Sequence, residues 1–153
     1  MTTEMPPTDF DLDHFLPYRL DRLADRVSEA LAQLYETHYG LNVAQWRVLA
    51  WLHHRHELTA KQIRAATRMD KARVSRAVQV LEGRGLIVRR PSPRDQRLHD
   101  LRLTETGQAL MVELVPQVRA WEAELVAPLT TEEYHRLLDM MARLERQLRD
   151  DAR

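Results

Sequence analysis

TAKQIRAATRMDKARVSRAVQVLEGRGLIVRRPSPRDQRLHDLRLT, residues 59–104, is the stretch on which the reading of the fold turns. Its first half holds two short helical patterns separated by a break at residues 67–69. Thr59 is placed to cap the first, because a threonine hydroxyl can accept a hydrogen bond from a first-turn N–H that has no partner within the helix. That helix offers Ile63 and Ala66 to a core. Asp70 is placed to cap the second, along which Val74, Ala77, Val78 and Leu81 recur at helical spacing as one apolar stripe. The opposite surface of the same helix then presents Lys71, Arg73, Ser75, Arg76 and Gln79. Gly83 and Gly85 read as its stop, since glycine accepts the left-handed backbone found at helix ends. Two apolar runs follow, one beginning at 86–88 and one at 98–103. Strand alternation on the second sets His99, Leu101 and Leu103 on one face and Leu98, Asp100 and Arg102 on the other. The pattern is a helix-turn-helix followed by a β-hairpin wing. The tip, residues 91–97, is long for a hairpin loop and is expected to project and to be mobile when nothing is bound.

Charge sets this stretch apart. Between residues 61 and 102 there are 12 Lys or Arg and 4 Asp or Glu, a net of +8; the whole chain has 23 of each sign, so the remainder carries −8. A neutral chain therefore hides a basic module on an acidic body, which points to a localised contact with a polyanion. The 153 residues supply one domain's worth of material with 44% hydrophobic content. No run of 18 apolar residues and no signal peptide is present, from which a cytoplasmic protein without membrane association is expected. The absence of cysteine excludes disulfide staples and thiolate chemistry on this chain.

Working outward, residues 1–13 form a polar, proline-containing tail expected to be flexible. Residues 14–40 carry an N-terminal helix with Pro17 in its first turn and Leu16, Leu20, Leu23, Val27, Leu31 and Leu34 as its buried stripe. Residues 41–104 make the winged helix-turn-helix region, entered through a helix that Asn42 caps and that contains Trp46, Val48, Leu49 and Leu52. Residues 105–153 supply two further helices. Thr104 is placed to cap the first of them, Pro116 is expected to kink or divide it, and Pro128 ends it. A capping box at 130–133 starts the last, with Tyr134, Leu137, Leu138, Met141, Leu144 and Leu148 along one side. A winged module alone covers only part of this outer apolar surface. The expected architecture is mainly α, a winged helix-turn-helix whose flanking helices make a two-fold dimer.

The ordered combination GLNVAQWRVLAWL (40–52), LTAKQIRAATRMDKARVSRAVQVLEGRGLIVRR (58–90), DQR (95–97) and LRLTETG (101–107) resembles the MarR family of bacterial transcriptional regulators. The resemblance runs from about residue 15 to residue 148. It implies a homodimer that binds double-stranded DNA at a palindromic operator, most often as a repressor relieved by a small ligand, with no cofactor and no catalysis. Carried over by position, residues 71–79 look like the major-groove face of the recognition helix, and Asp95 and Arg97 like the paired wing residues that present the minor-groove contact. Gln96 stands where a second arginine is common.

Groove geometry gives these residues their roles. Arg73 and Arg76 can each pair in bidentate fashion with guanine or phosphate, Lys71 supplies charge, and Ser75 and Gln79 suit base edges. Arg94 and Arg97 at the tip would enter or straddle the minor groove, while Asp95 orients an arginine. His53, His54 and His56 suggest a metal only weakly, without cysteine or an HExxH pattern, and read as an exposed helix end. Tyr18, Arg19 and Trp46 could together hold an aromatic carboxylate, with rings for its body and a guanidinium for its charge; ordinary packing explains the same residues as well. Two alternatives stay open: a winged helix that docks protein instead of DNA, and a regulator without an aromatic effector.

Overall fold

The computed structural model describes residues 9–95 and 97–150. A 3-10 turn at Leu12–His14 leads into α1 (Leu16–Tyr39), followed by α2 (Val43–Arg55), β1 (Leu58–Thr59), α3 (Ala60–Thr67) and α4 (Lys71–Gly83). Then come β2 (Ile87–Pro91), β3 (His99–Leu103), α5 (Glu105–Leu125) and α6 (Thr131–Asp150). The expectation for the N-terminal tail falls, for residues 1–8, outside the described residues; Asp11 caps the 3-10 turn by accepting from the Asp13 N–H at 3.0 Å.

Side-chain caps set most of the helix starts. Asn42 with Gln45, Thr59 with Gln62 and Thr130 with Glu133 each form a reciprocal capping box, and the Asp70 carboxylate accepts from the Arg73 N–H at 2.7 Å. Each such cap stabilises its helix by about 1 kcal/mol. Between α4 and β2 only one of the two glycines has the expected backbone: Gly85 sits at φ 72°, whereas Gly83 is the last residue of the helix.

The chain divides into two compact units, one ending at Leu114 and the other beginning at Val115. The first has a continuous core in which Tyr35, Leu49, Leu52, Ile63, Leu81, Leu101 and Met111 are fully buried. Burying a Leu, Ile or Met side chain contributes roughly 1.5–3 kcal/mol. α5 begins in this unit: Gly107, Met111 and Leu114 are buried, and a Cβ built on Gly107 would run into the Leu86 carbonyl oxygen. That carbonyl also accepts from the Thr104 N–H at 3.0 Å, so glycine is what lets the start of α5 lie against the end of the α4–β2 turn. The helix continues through Pro116, and the boundary between the units falls just before that residue.

The wing is larger than the sequence pattern suggests. β3 is the centre of a three-stranded antiparallel sheet in the order β1-β3-β2, with Leu58 opposite Leu101 and Thr59 opposite Asp100 on one side, and Arg89 opposite Leu101 on the other. Two residues are too few to show alternation, which is why β1 escapes a periodicity reading. Alternation sets Asp100 and Leu101 on opposite faces of β3, and in the three-stranded sheet both are buried.

The stripe along α1 departs from expectation too. Leu16, Leu20 and Leu23 are 51%, 45% and 59% exposed, Val27, Leu31 and Leu34 are half-buried, and the buried residues of the helix are Ala32 and Tyr35. In the second unit, the α6 residues Leu137, Leu138, Met141, Leu144 and Leu148 are all exposed. Within a single chain these faces have solvent where the sequence pattern calls for cover.

Candidate nucleic-acid interface

α4 is seated by its apolar stripe and therefore presents a fixed polar face. Val74, Ala77, Val78 and Leu81 are buried, while Lys71, Ser75, Arg76 and Gln79 are exposed and Arg73 is half-buried. The helical period that sinks four residues lifts the intervening ones outward on the same rigid cylinder. Arg73 and Arg76 border a cleft of about 490 Å³ shared with Asn42 and Gln45 at the start of α2 and with Val80. On another flank of α4, Lys71 and Ser75 join Arg64 of α3 and Arg89 of β2 around a cleft of about 190 Å³.

The tip of the wing is shaped by its own backbone. Ser92 is buried and donates its N–H to the Leu98 carbonyl at 2.9 Å; its hydroxyl accepts from the Arg94 N–H at 3.3 Å. The Asp95 carboxylate accepts from the backbone N–H of Arg97 at 3.0 Å, and its carbonyl accepts from the Leu98 N–H. Asp95 thus acts on Arg97 through the main chain, fixing the turn from which the exposed guanidinium starts. Gln96 lies outside the described residues.

Not every basic residue of the module faces outward for a partner. Arg84 donates to the carbonyls of Tyr39 (2.9 Å) and Gly40 (3.2 Å), closing the carbonyl end of α1. Arg102 on β3 donates through Nε and Nη2 to Glu57 at 3.0 and 2.6 Å, and Arg89 on β2 donates through Nε to Glu82 at 2.9 Å. The Arg102 guanidinium holds the Glu57 carboxyl below the usual carboxylate range, with partial desolvation opposing it and the charge of Arg94 adding to it. Sequence reasoning counted these arginines as charge and, beyond setting Arg102 on a strand face, assigned them no partner. Their partners lie 7 and 45 residues away in the chain, spacings with no local signature.

The remaining candidates fall apart spatially. Trp46 stacks on Tyr35 with ring centroids 5.4 Å apart. Tyr18 is 17 positions before Tyr35 on the same helix, which places it roughly 25 Å away along the axis. Arg22 lies over the Tyr18 ring at 5.6 Å, and Arg19 donates to the Asp13 carbonyl at 2.9 Å. One chain therefore does not gather Tyr18, Arg19 and Trp46 into one crevice. His53, His54 and His56 are exposed, and the described residues include no cluster of three or more His, Cys, Asp or Glu side chains able to hold a metal ion. No helix among the described residues is long and apolar enough to cross a membrane.

Comparison with known proteins matches this geometry. The sequence profile of the MarR family matches residues 39–98. An uncharacterized HTH-type transcriptional regulator, YdgJ of Bacillus subtilis (strain 168), is 26% identical over 118 residues, spanning 77% of this chain and 72% of that protein. The HTH-type transcriptional regulator MhqR of the same organism is 28% identical over 106 residues, covering 69% and 73%. The crystal structure of a MarR family transcriptional regulator from Silicibacter pomeroyi superposes with a TM-score of 0.82 at 29% identity, over 91% of this chain and 93% of that one. A MarR/EmrR family regulator from Acinetobacter sp. ADP1 shares the fold, with a TM-score of 0.83 at 23% identity over 92% and 99%.

Proposed function

We propose that the chain, which matches the MarR family over residues 39–98 and shares its fold, is a winged helix-turn-helix DNA-binding transcriptional regulator that acts as a two-fold homodimeric repressor of a palindromic operator. The observation that carries this reading is the face of α4: an exposed row of Lys71, Ser75, Arg76 and Gln79 held rigidly by four buried apolar side chains. Lys71, Arg73, Ser75, Arg76 and Gln79 serve the major groove, where each base pair offers a distinct set of donors and acceptors. Arg94 and Arg97 serve the adjacent minor groove, and Asp95 sets the turn that presents Arg97. The exposed stripes of α1 and α6 support the dimer, and two linked α4 helices would read half-sites about 34 Å apart.

Relief by a small aromatic carboxylate is the effector half of this proposal. It rests on Tyr18 and Arg19, a ring and a guanidinium near one end of α1; within one chain Trp46, the third residue of the set, stacks on Tyr35 farther along that helix. Such a ligand would release DNA only as far as it prefers the non-binding dimer over the binding one. Arg19→Ala is then expected to weaken ligand binding more than operator binding. Selection of bound sequences from random duplex DNA tests the main reading, with a palindrome expected. A folded, dimeric protein that enriches none at moderate salt would favour a protein-docking winged helix instead. Titration of aromatic acids into the protein–operator complex tests the effector, and no change in the complex with any of them removes that half alone.

A further inference from the structure

The cleft between α3, α4 and β2 joins Lys71 and Ser75, at the edge of the α4 face, to Arg64 and Arg89, which the major-groove and minor-groove assignments leave unused. Arg64, Lys71, Ser75 and Arg89 supply its polar rim, and Val74 and Val78 lie beneath them. Three cations and a hydroxyl surround a space of about 190 Å³, and none of those rim side chains is a carboxylate. The nearby acid, Glu82, follows Val78 by one turn on the same flank of α4 and accepts from Arg89 Nε at 2.9 Å. Among the described residues the Arg89 guanidinium hydrogen-bonds through Nε alone, so its two terminal nitrogens stay open as a fork suited to two oxygens of one anion.

Position selects the anion. If α4 lies in the major groove and the wing in the neighbouring minor groove, the sugar-phosphate strand that separates the two grooves must pass between them. That passage is the junction of α4 with β2, where Arg89 stands. Resting on the DNA-binding reading of α4 and the wing, we infer that this cleft is a backbone phosphate seat, with Arg89 as the bidentate ligand and Glu82 as the residue that positions it. Arg64 and Lys71 add charge, and Ser75 can donate its hydroxyl. The contact carries no sequence information, so it acts equally on any duplex.

The dependence of duplex affinity on salt tests this, measured by fluorescence anisotropy on a scrambled duplex and on a duplex enriched by the wild-type protein. Arg89→Ala is expected to weaken both by about tenfold and to lower the slope of log affinity against log salt by about 0.9, the loss of one phosphate contact. Glu82→Ala should reproduce the slope change, Glu82→Gln should restore most of it by keeping an acceptor for Nε, and the double variant should be no worse than Arg89→Ala alone. Arg136→Ala on α6, whose guanidinium pairs with Glu132 at the surface, should leave the slope untouched. An unchanged slope in Arg89→Ala overturns the seat. Tighter binding by Glu82→Ala overturns the positioning role, because the acid would then be competing with the duplex. Inorganic phosphate that raises the melting temperature of the wild-type protein but not of Arg89→Ala, with the slope unchanged, would assign the cleft to a free anion and also overturn the inference. A wild-type protein that binds neither duplex overturns the DNA-binding reading together with the seat built on it.

Discussion

α4 and α6 carry the same kind of pattern and meet different fates. On α4, Val74, Val78 and Leu81 are 1%, 1% and 0% exposed; on α6, Leu137, Met141 and Leu144 are 39%, 42% and 46% exposed. Both stripes repeat every three or four residues, and both helices begin at a side-chain cap. Periodicity states that a face is made to be covered, without stating by what. For α4 the cover is α2, α3 and the wing, within about forty residues of chain. For α6 the face stays exposed within one chain, and the dimer proposed above would cover it with a second molecule.

The largest expected effects separate these two cases directly. We predict that Leu81→Ala costs about 2–5 kcal/mol of stability, independent of protein concentration, because it opens a cavity inside one chain. Leu144→Ala should instead lower the melting temperature by an amount that shrinks as protein concentration rises, since its partner comes by association. Sedimentation and thermal melts over a concentration series decide it. Equal, concentration-independent losses in the two variants would erase the difference between the stripes and move the dimer interface elsewhere.

A second contrast lies at the seam between the basic module and the helix that follows it. Gly107 admits the Leu86 carbonyl where any Cβ would collide with backbone. Gly107→Ala is predicted to destabilise the protein by about 1–3 kcal/mol through overpacking. Gly83→Ala, at a helical position with open space around it, should cost little or stabilise slightly. Chemical denaturation measures both, and a Gly107→Ala protein as stable as the wild type would show that the seam can open without penalty.

What the sequence made legible follows the range of the interactions involved. Caps act over three residues and stripes over a few turns, so Thr59, Asp70, Asn42 and the α4 face could be read from residue types and spacing. Interactions between distant segments could not. β1 is two residues long and is a strand only through its pairing with β3, where Thr59 lies opposite the buried Asp100; Arg84 donates to the carbonyls of Tyr39 and Gly40, more than forty residues earlier. The grouping of Tyr18, Arg19 and Trp46 also depends on a tertiary meeting, and within one chain Trp46 stacks on Tyr35, 17 positions along α1 from Tyr18. The Pro116 expectation lay between these limits: the residue marks where the compact units divide, yet the helix runs through it.

On the DNA side the comparison is between arginines that face outward and arginines already engaged. Arg76 is exposed on α4, whereas Arg84 closes the carbonyl end of α1. Arg73→Ala and Arg76→Ala are predicted to keep the fold, and whichever reads a base should lose about 1–3 kcal/mol of discrimination at its own base pair. Arg84→Ala should lower stability first and leave sequence preference unchanged. Competition with single-base operator variants distinguishes them. If both α4 variants kept wild-type affinity and preference, the assignment of this face to the major groove would fail.

The smallest effect belongs to the ion pair that ties β3 to the loop after α2. Arg102 donates twice to Glu57 Oε1, and that hydrogen bonding is the first cause of the depressed Glu57 pKa. A carboxyl whose folded pKa lies below its unfolded value contributes stability above the unfolded value and loses it as pH falls through the folded one. Both side chains are well exposed, at 46% and 38%, so solvent and salt screen the pair and its contribution is small. We predict that Glu57→Gln is slightly less stable than the wild type at neutral pH in low salt, and that the gap narrows as acid protonates Glu57. Raising the salt at neutral pH should narrow it in the same way. Melting temperatures of the two proteins, followed from neutral pH into the acid range at two salt concentrations, check both trends. A gap that kept its size under acid and under salt would mean that Glu57 acts through the shape of the loop, and the charge on the carboxylate would then have no part in holding the wing.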